Sequence, residues 1–151
     1  MEALLVVGIS ALPIAELRAG IPLALSLGFS PASAFLLAIL GNILPLPLLL
    51  FLLPRVIAVL SGLSGPLGAW VRRYLAWQAR HQRLFSRWGP WALFLFVAVP
   101  FPGTGLWTGA IISSIFRVPP KRAALPLILG VLIAGILVIL ASLGVFRLFS
   151  L

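Results

Sequence analysis

Four long apolar stretches dominate the pattern of the chain, at residues 3–29, 32–53, 90–116 and 123–143. A helix that crosses a bilayer needs about 20 predominantly apolar residues. The second and fourth stretches have that length and contain no charged residue, so they predict two ordinary transmembrane helices. The pattern therefore predicts an integral membrane protein.

The first and third stretches are interrupted near their centres by prolines, glycines and, in the first, by two charges. Proline breaks a helix, and each remaining arm is only about 10–12 residues, half the thickness of a bilayer. We therefore expect two re-entrant hairpins that dip into the membrane and return to the same side. A single kinked transmembrane helix is the alternative in each case. The residues expected to shape the hairpin tips are Pro13, Gly20, Pro22, Pro100, Pro102, Gly103, Gly105 and Gly109.

The basic residues help to choose between these alternatives. Six arginines lie between the second and third stretches, and Arg117, Lys121 and Arg122 lie between the third and fourth. Basic residues concentrate on the cytoplasmic side of membrane proteins. All nine fall on one side only if the third stretch is re-entrant, which favours hairpins, a cytoplasmic linker and both termini outside the cytoplasm.

An internal repeat appears when the sequence is shifted by 89 residues. Proline meets proline at 13/102 and 31/120, and glycine meets glycine at 20/109 and 41/130. Chance matching in a chain rich in these residues is the alternative. With one spanning helix in each half, the two halves would enter the membrane from opposite faces, as in many transporters. The predicted fold is all-α and polytopic, with a first repeat (1–53), a linker (54–88) and a second repeat (89–151).

The linker predicts an amphipathic helix lying in the membrane interface. Large side chains follow a 4-3-4-3-4 spacing, which places them on one helical face: Trp70, Tyr74, Trp77, His81, Leu84 and Trp88. The opposite face carries arginines expected to contact lipid head groups: Arg72, Arg73, Arg80, Arg83 and Arg87. A soluble cytoplasmic hairpin is the alternative. His81 is interpreted as an interfacial residue rather than as a ligand or a proton-transfer group.

Glu16 and Arg18 are the only charges inside the four apolar stretches. Ionisable residues within a membrane are costly, which makes them candidates for a functional site. Glu16 is a candidate for binding a proton or a cation, and Arg18 for neutralising Glu16 or holding an anionic group. A purely structural ion pair that pins the hairpin is the alternative.

Further polar residues are expected to join these charges in a pocket near the bilayer midplane. Asn42 lies midway along the first predicted spanning helix, where a lone amide needs a partner. Thr104, Trp107 and Thr108 lie near the tip of the second hairpin. For Asn42, a role as a structural hydrogen-bonding residue between helices is the alternative.

Composition narrows the range of functions. The chain is 62% hydrophobic and 9% charged, with no cysteine, one histidine and only two acidic residues, both glutamate. No paired carboxylates, Ser/His arrangement, phosphate-binding loop or metal-ligand cluster is present, so we expect neither an enzyme nor a cofactor or metal. The net charge of +9 is interpreted as an orientation and lipid-contact signal, not as a sign of nucleic-acid binding.

Three segments resemble the small multidrug export proteins: residues 16–22 (ELRAGIP), 41–45 (GNILP) and 99–109 (VPFPGTGLWTG). That family is in turn similar to the DedA-like, SNARE-associated proteins, whose members carry re-entrant hairpins and in some cases move lipids. DedA-like members also carry arginines near the second hairpin, whereas residues 100–109 here carry no charge.

The resemblance implies a transporter that moves a small amphiphilic or lipid-like substrate across the bacterial inner membrane, with Glu16 as the candidate residue for proton coupling. A lipid flippase or scramblase is the first alternative, and a non-transporting membrane scaffold is the second. The expected partners are membrane lipids, the substrate and, through close packing at Gly130 and Gly135, a second copy of the chain. The start of the chain lacks a basic segment and a cleavage site, so no removable signal peptide is expected.

Overall fold

The computed structural model describes residues 1–73, 75–76, 89–101 and 103–149, with side chains up to residue 144. This part of the chain is helical and contains no strand. Its helices are α1 (Glu2–Ala11), α2 (Glu16–Ser26), α3 (Pro31–Ile43), α4 (Leu46–Gly62), α5 (Trp91–Ala98), α6 (Leu106–Ile115) and α7 (Pro120–Phe149).

Two helical segments of the described chain are long and apolar enough to cross a membrane. One is Pro31–Gly62, where α3 and α4 follow each other across a short break, and the other is Pro120–Gly144. Both contain the stretches predicted to span. The first is longer than predicted because α4 continues past residue 53 through Pro54 and an apolar run to Gly62. The linker helix therefore begins later than residue 54.

The first and third stretches each form two short helices, as their interruptions predict. α1 and α2 are separated by residues 12–15, and α5 and α6 by residues 99–105. These helices have 8–11 residues each, which corresponds to about 12–17 Å, roughly half a bilayer. Whether each pair returns to the same side of the membrane stays a prediction.

Three of the residues assigned to the hairpin tips lie elsewhere. Gly20 and Pro22 are inside α2 and Gly109 is inside α6, about one turn or more beyond the interruption. The two glycines serve helix packing instead. A Cβ on Gly20 would overlap the hydroxyl of Ser10 in α1, and one on Gly109 would lie 2.7 Å from the Leu127 side chain in α7. Pro102 lies outside the described residues.

The helix boundaries recur at the offset of 89 residues. α1 and α5 begin at residues 2 and 91, α3 and α7 begin at 31 and 120, and α2 and α6 end at 26 and 115. The turn before each long helix also contains a left-handed residue at the same offset, Gly28 (φ 85°) and Arg117 (φ 53°). The local structure of the two halves is therefore similar even where their side chains differ.

Each half packs as a group of three helices. α1, α2 and α3 contact one another, as do α5, α6 and α7. The halves are joined by α7, which packs against α2 and α3, and by the contact between α4 and α6. Matching glycines permit the closest approaches. A Cβ on Gly41 would overlap the backbone carbonyl of Val7, and one on Gly130 would lie 3.0 Å from the carbonyl oxygen of Phe94.

The two glycines predicted to allow close packing in a dimer already pack against other helices of the same chain. Gly130 faces Phe94 and Val97 of α5, and Gly135 faces Phe35 and Ile39 of α3. Their small size is therefore explained by intramolecular packing. A homodimer would need a different surface, and it stays an untested expectation.

The linker is described only at its beginning. Residues 66–73 and 75–76 are helical. Arg72 and Arg73 are exposed, and Arg72 donates hydrogen bonds to the carbonyl oxygens of Ser61 (2.7 Å) and Leu63 (3.0 Å) at the end of α4. The amphipathic face stays a prediction because most of it lies outside the described residues: Tyr74, Trp77, Arg80, His81, Arg83, Leu84, Arg87 and Trp88.

Candidate functional site

Glu16 is the first residue of α2, and its carboxylate reaches the first turn of α6. The side chain is 5% exposed, and its Oε1 accepts a hydrogen bond from the backbone N–H of Trp107 at 3.3 Å. Gly105 lies directly against the carboxylate, because a Cβ at this glycine would overlap both carboxylate oxygens. Glu16 has a positive φ of 48°, a conformation that costs a non-glycine residue about 1–2 kcal/mol.

Arg18 points to the same tip but binds different atoms. Its guanidinium donates to the carbonyl oxygen of Thr104 and, at 3.0 Å, to the hydroxyl oxygen of Thr104. No ion pair joins Arg18 to Glu16 in the described part of the chain. Of the two arrangements that the sequence leaves open, a local pair and separate partners, the structure has the second.

Thr104 organises the tip of the second hairpin. Its hydroxyl lies 2.6 Å from the carbonyl oxygen of Val99 and 2.8 Å from that of Phe101, and it accepts the backbone N–H of Phe101 at 3.1 Å. The Thr104 hydroxyl thus closes the turn, and its oxygen and the backbone carbonyl oxygen of the same residue both accept hydrogen bonds from Arg18. This explains why a short polar residue serves at a tip without charges.

Trp107 connects the two hairpins a second time. Its indole N–H donates to the carbonyl oxygen of Ala11, the last residue of α1, at 3.1 Å. Its backbone N–H is the group that binds Glu16. Thr108, the next residue, is half-buried, and none of the hydrogen bonds described here involves its hydroxyl.

Asn42 is buried at the contact between the hairpins. Its side chain is 1% exposed, and neither its amide nitrogen nor its amide oxygen has a hydrogen-bond partner. Such a buried, unpaired amide costs about 1–3 kcal/mol. Asn42 lines a narrow internal space, called the closed cavity below, which is too small to hold a water molecule. The other lining residues are Glu16, Leu17, Arg18, Val97, Thr104, Gly105, Leu106, Val131 and Ala134.

This cavity is lined by residues from equivalent positions of the two halves. At the offset of 89 residues, Glu16 corresponds to Gly105, Leu17 to Leu106, and Asn42 to Val131, and all six line the cavity. In two of these three pairs, the polar member belongs to the first half.

A second, open groove begins on the other side of Arg18. It has a volume of about 390 Å³ and apolar walls. Its lining residues are Arg18, Pro22, Pro100, Leu137, Val138, Ala141 and Ser142. Arg18 is the one charged residue among them, and it therefore lies between the groove and the closed cavity.

The structure brings together most of the residues predicted to form the pocket. Glu16, Arg18, Asn42 and Thr104 line one cavity, and Trp107 binds Glu16 through its backbone. Sequence analysis assigned Gly105 only to the turn and missed its contact with the carboxylate. It also missed the walls contributed by α7, since Val131 and Ala134 lie in a uniformly apolar run.

A comparison with models of protein families identifies the family of the chain. The model of the family described as "putative small multi-drug export protein" matches residues 16–137. The chain belongs to this family. The matched region begins at Glu16 and includes both hairpin tips and every residue that lines the closed cavity.

Membership in this family confirms the first part of the resemblance predicted from the sequence. Together with the two long apolar helices, it indicates a membrane protein of a family named for export. A search of curated proteins and a search of solved structures found no match. The relationship to the DedA-like proteins stays a prediction.

Proposed function

We propose that the chain transports a small amphiphilic or lipid-like substrate across the bacterial inner membrane, through the contact between its two hairpins. One observation carries the proposal. Glu16 and Arg18 of the first hairpin bind the tip of the second hairpin beside a closed cavity that contains an unpaired amide. A purely structural contact would be expected to pair its buried polar groups.

The transport proposal includes a topology with two inverted repeats, each made of a re-entrant hairpin and a spanning helix. The recurring helix boundaries and the short length of α1, α2, α5 and α6 support it. Inverted repeats with broken helices at the midplane are a common basis of alternating access. In this topology the linker is cytoplasmic and both termini are outside.

Single cysteines test this topology directly, since the chain has no cysteine of its own. Ser64→Cys and Lys121→Cys should both react with a membrane-impermeant maleimide only from the cytoplasmic side, and Ser30→Cys only from outside. A single crossing by the third stretch would instead place residues 64 and 121 on opposite sides. That labelling pattern would refute the re-entrant arrangement.

Within this proposal, Glu16 exchanges a proton during the transport cycle. Its carboxylate is buried, and hydrogen bonding to α6 links its charge to the contact between the hairpins. Protonation would weaken that contact because a neutral carboxyl group is a poorer acceptor than a carboxylate. The hairpins would then separate more readily at low pH.

Transport by proteoliposomes, driven by an imposed pH gradient, tests this role. Glu16→Gln should fold normally but lose the dependence of uptake on the gradient, whereas Glu2→Gln, at the exposed start of α1, should behave as wild type. Unchanged pH dependence in Glu16→Gln refutes proton coupling through Glu16. If substitutions at Glu16 and Arg18 alter only stability in a protein that never transports, the chain is a scaffold.

A lipid flippase or scramblase is the second candidate function. The open groove favours it, because apolar walls formed by Leu137, Val138 and Ala141 suit an acyl chain and Arg18 suits a head group. Such a protein equilibrates lipids without an ion gradient. Exchange of fluorescent lipids between leaflets of proteoliposomes, with no gradient imposed, distinguishes it from a coupled transporter.

A further inference from the structure

The N-terminus of α6 holds a carboxylate contributed by the other half of the molecule. α6 has ten residues, and its N-cap residue, Gly105, provides no side-chain hydrogen bond. The Oε1 of Glu16 instead accepts the N–H of Trp107 in the first turn. Free N–H groups and the helix dipole make this end of a helix a favourable site for an anion. Glu16 therefore occupies an anion site.

Two further hydrogen-bond donors that could bind an anion lie beside the first turn of α6. The guanidinium of Arg18 has no carboxylate partner within the described residues and binds only the neutral oxygens of Thr104. The amide of Asn42, nine-tenths or more buried, lines the same cavity with both of its polar atoms unpaired. A guanidinium and an amide N–H₂ are both donors that bind oxyanions.

We propose that the first turn of α6, Arg18 and Asn42 form a binding site for an oxyanion of the substrate, and that the carboxylate of Glu16 is a built-in competitor for this site. The inference rests on the transport function proposed above and names the chemical class of its substrate. The ligand is a carboxylate, phosphate or sulfate group, either free or at the head of an amphiphile.

Competition follows from the charges that face Glu16. Besides Glu16 itself, Arg18 on the same helix is the one charged group among the residues lining the cavity. α3 contributes the neutral Asn42, α7 contributes Val131 and Ala134, and the second hairpin contributes Thr104, Gly105 and Leu106. One positive charge neutralises one anion, so the carboxylate and a substrate anion exclude each other. Protonation of Glu16 removes the competitor and admits the substrate.

The groove supplies a route to this site. Arg18 lines both the closed cavity and the open groove, whose remaining walls are largely apolar. An amphiphile could place its tail along Leu137 and Val138 while its head group reaches the guanidinium. The anion binds only when Glu16 carries a proton. The proton and the anion would therefore cross the membrane together, in the same direction.

Binding of octyl sulfate and of inorganic sulfate to the purified protein in phosphatidylcholine nanodiscs tests the competition. Sulfate does not titrate, so any pH dependence belongs to the protein. At about pH 8, Glu16→Gln should bind octyl sulfate about tenfold more tightly than wild type. Lowering the pH to about 5 should strengthen binding by wild type and leave Glu16→Gln nearly unchanged. Arg18→Gln should lose most binding at both pH values.

The outcomes separate this inference from the function on which it rests. Equal or weaker binding by Glu16→Gln at high pH overturns the competition, as does wild-type binding that does not change with pH. The wild-type measurement decides the question if a variant fails to fold. Binding of both probes supports a free anion as substrate, and binding of octyl sulfate alone supports a membrane-borne head group. The binding assay does not depend on transport. If the protein shows the competition but does not transport, the proposed transport function is refuted and the anion site is not.

Discussion

The two hairpin tips have corresponding positions in the sequence and opposite chemistry. The first tip is followed by an acid and a base, Glu16 and Arg18, whereas the second offers backbone N–H and carbonyl groups, Thr104 and a glycine. Each tip therefore supplies what the other lacks. Within the described residues this polar contact occurs once, between the two halves, although the helix boundaries recur.

The packing of the helices differs much less between the halves. Gly20 approaches Ala38 and Gly109 approaches Leu127, and both pairs are related by the offset of 89 residues. The packing contacts of the first half are therefore found again in the second half, whereas its charged and hydrogen-bonding groups are not. The comparison indicates a repeated scaffold that carries a single, asymmetric polar site.

Replacing Arg18 should have the largest effect on this asymmetric contact. Arg18→Ala removes two charge-assisted hydrogen bonds to Thr104 and should lower the free energy of unfolding by about 3 kcal/mol, with transport reduced to background. Arg55→Ala is the control, because the exposed Arg55 donates only to Phe51 within its own helix. Denaturant unfolding in detergent micelles measures both. If the two variants have similar unfolding free energies, the contact between the hairpins does not stabilise the fold, and the contrast between the two tips has no energetic consequence.

The glycines of the scaffold should respond alike in both halves. Gly41→Ala and Gly130→Ala each place a methyl group against a backbone carbonyl of the neighbouring short helix, which should cost about 1–3 kcal/mol of stability. Gly8→Ala, where a Cβ meets nothing within 4 Å, should be neutral or slightly stabilising. Thermal unfolding of the three variants gives the answer. A large loss at only one of the two buried glycines would contradict a repeated scaffold.

Asn42 and its counterpart Val131 should respond in opposite directions. Asn42→Leu removes an unpaired buried amide and should raise the unfolding free energy by about 1 kcal/mol while abolishing transport. Val131→Asn adds a second such amide and should lower it by about 1–3 kcal/mol. Unfolding and uptake assays on the same preparations check this. A destabilised Asn42→Leu would show that the amide has a structural partner.

The smallest effect is expected at the turn of the second hairpin. Thr104→Val removes the hydroxyl that lies against Val99 and Phe101 and should cost about 1 kcal/mol. Thr104→Ser should keep most of the stability, and Thr108→Val, the same change four residues later, should have little effect. If Thr104→Val and Thr108→Val lose the same unfolding free energy, the hydroxyl of Thr104 has no special role at the tip.

Much of the helix pattern could be predicted because it depends on local composition. The two spanning segments, the two interruptions and the repeat offset are all visible in runs of apolar residues and in the spacing of prolines and glycines. The exact ends could not be predicted, since Gly20, Pro22 and Gly109 resemble turn residues but lie inside helices. Their positions depend on which neighbour packs against them.

The sequence alone determined that this is a membrane protein with one acid and one base in its apolar region, because burial in lipid limits composition and makes charges conspicuous. Only the tertiary structure decided that Glu16 and Arg18 bind the opposite hairpin and not each other, and that Asn42 is left unpaired beside them. The two hydrogen bonds join residues 86 and 91 positions apart. No local pattern encodes such a contact, because it arises only when the two halves pack together.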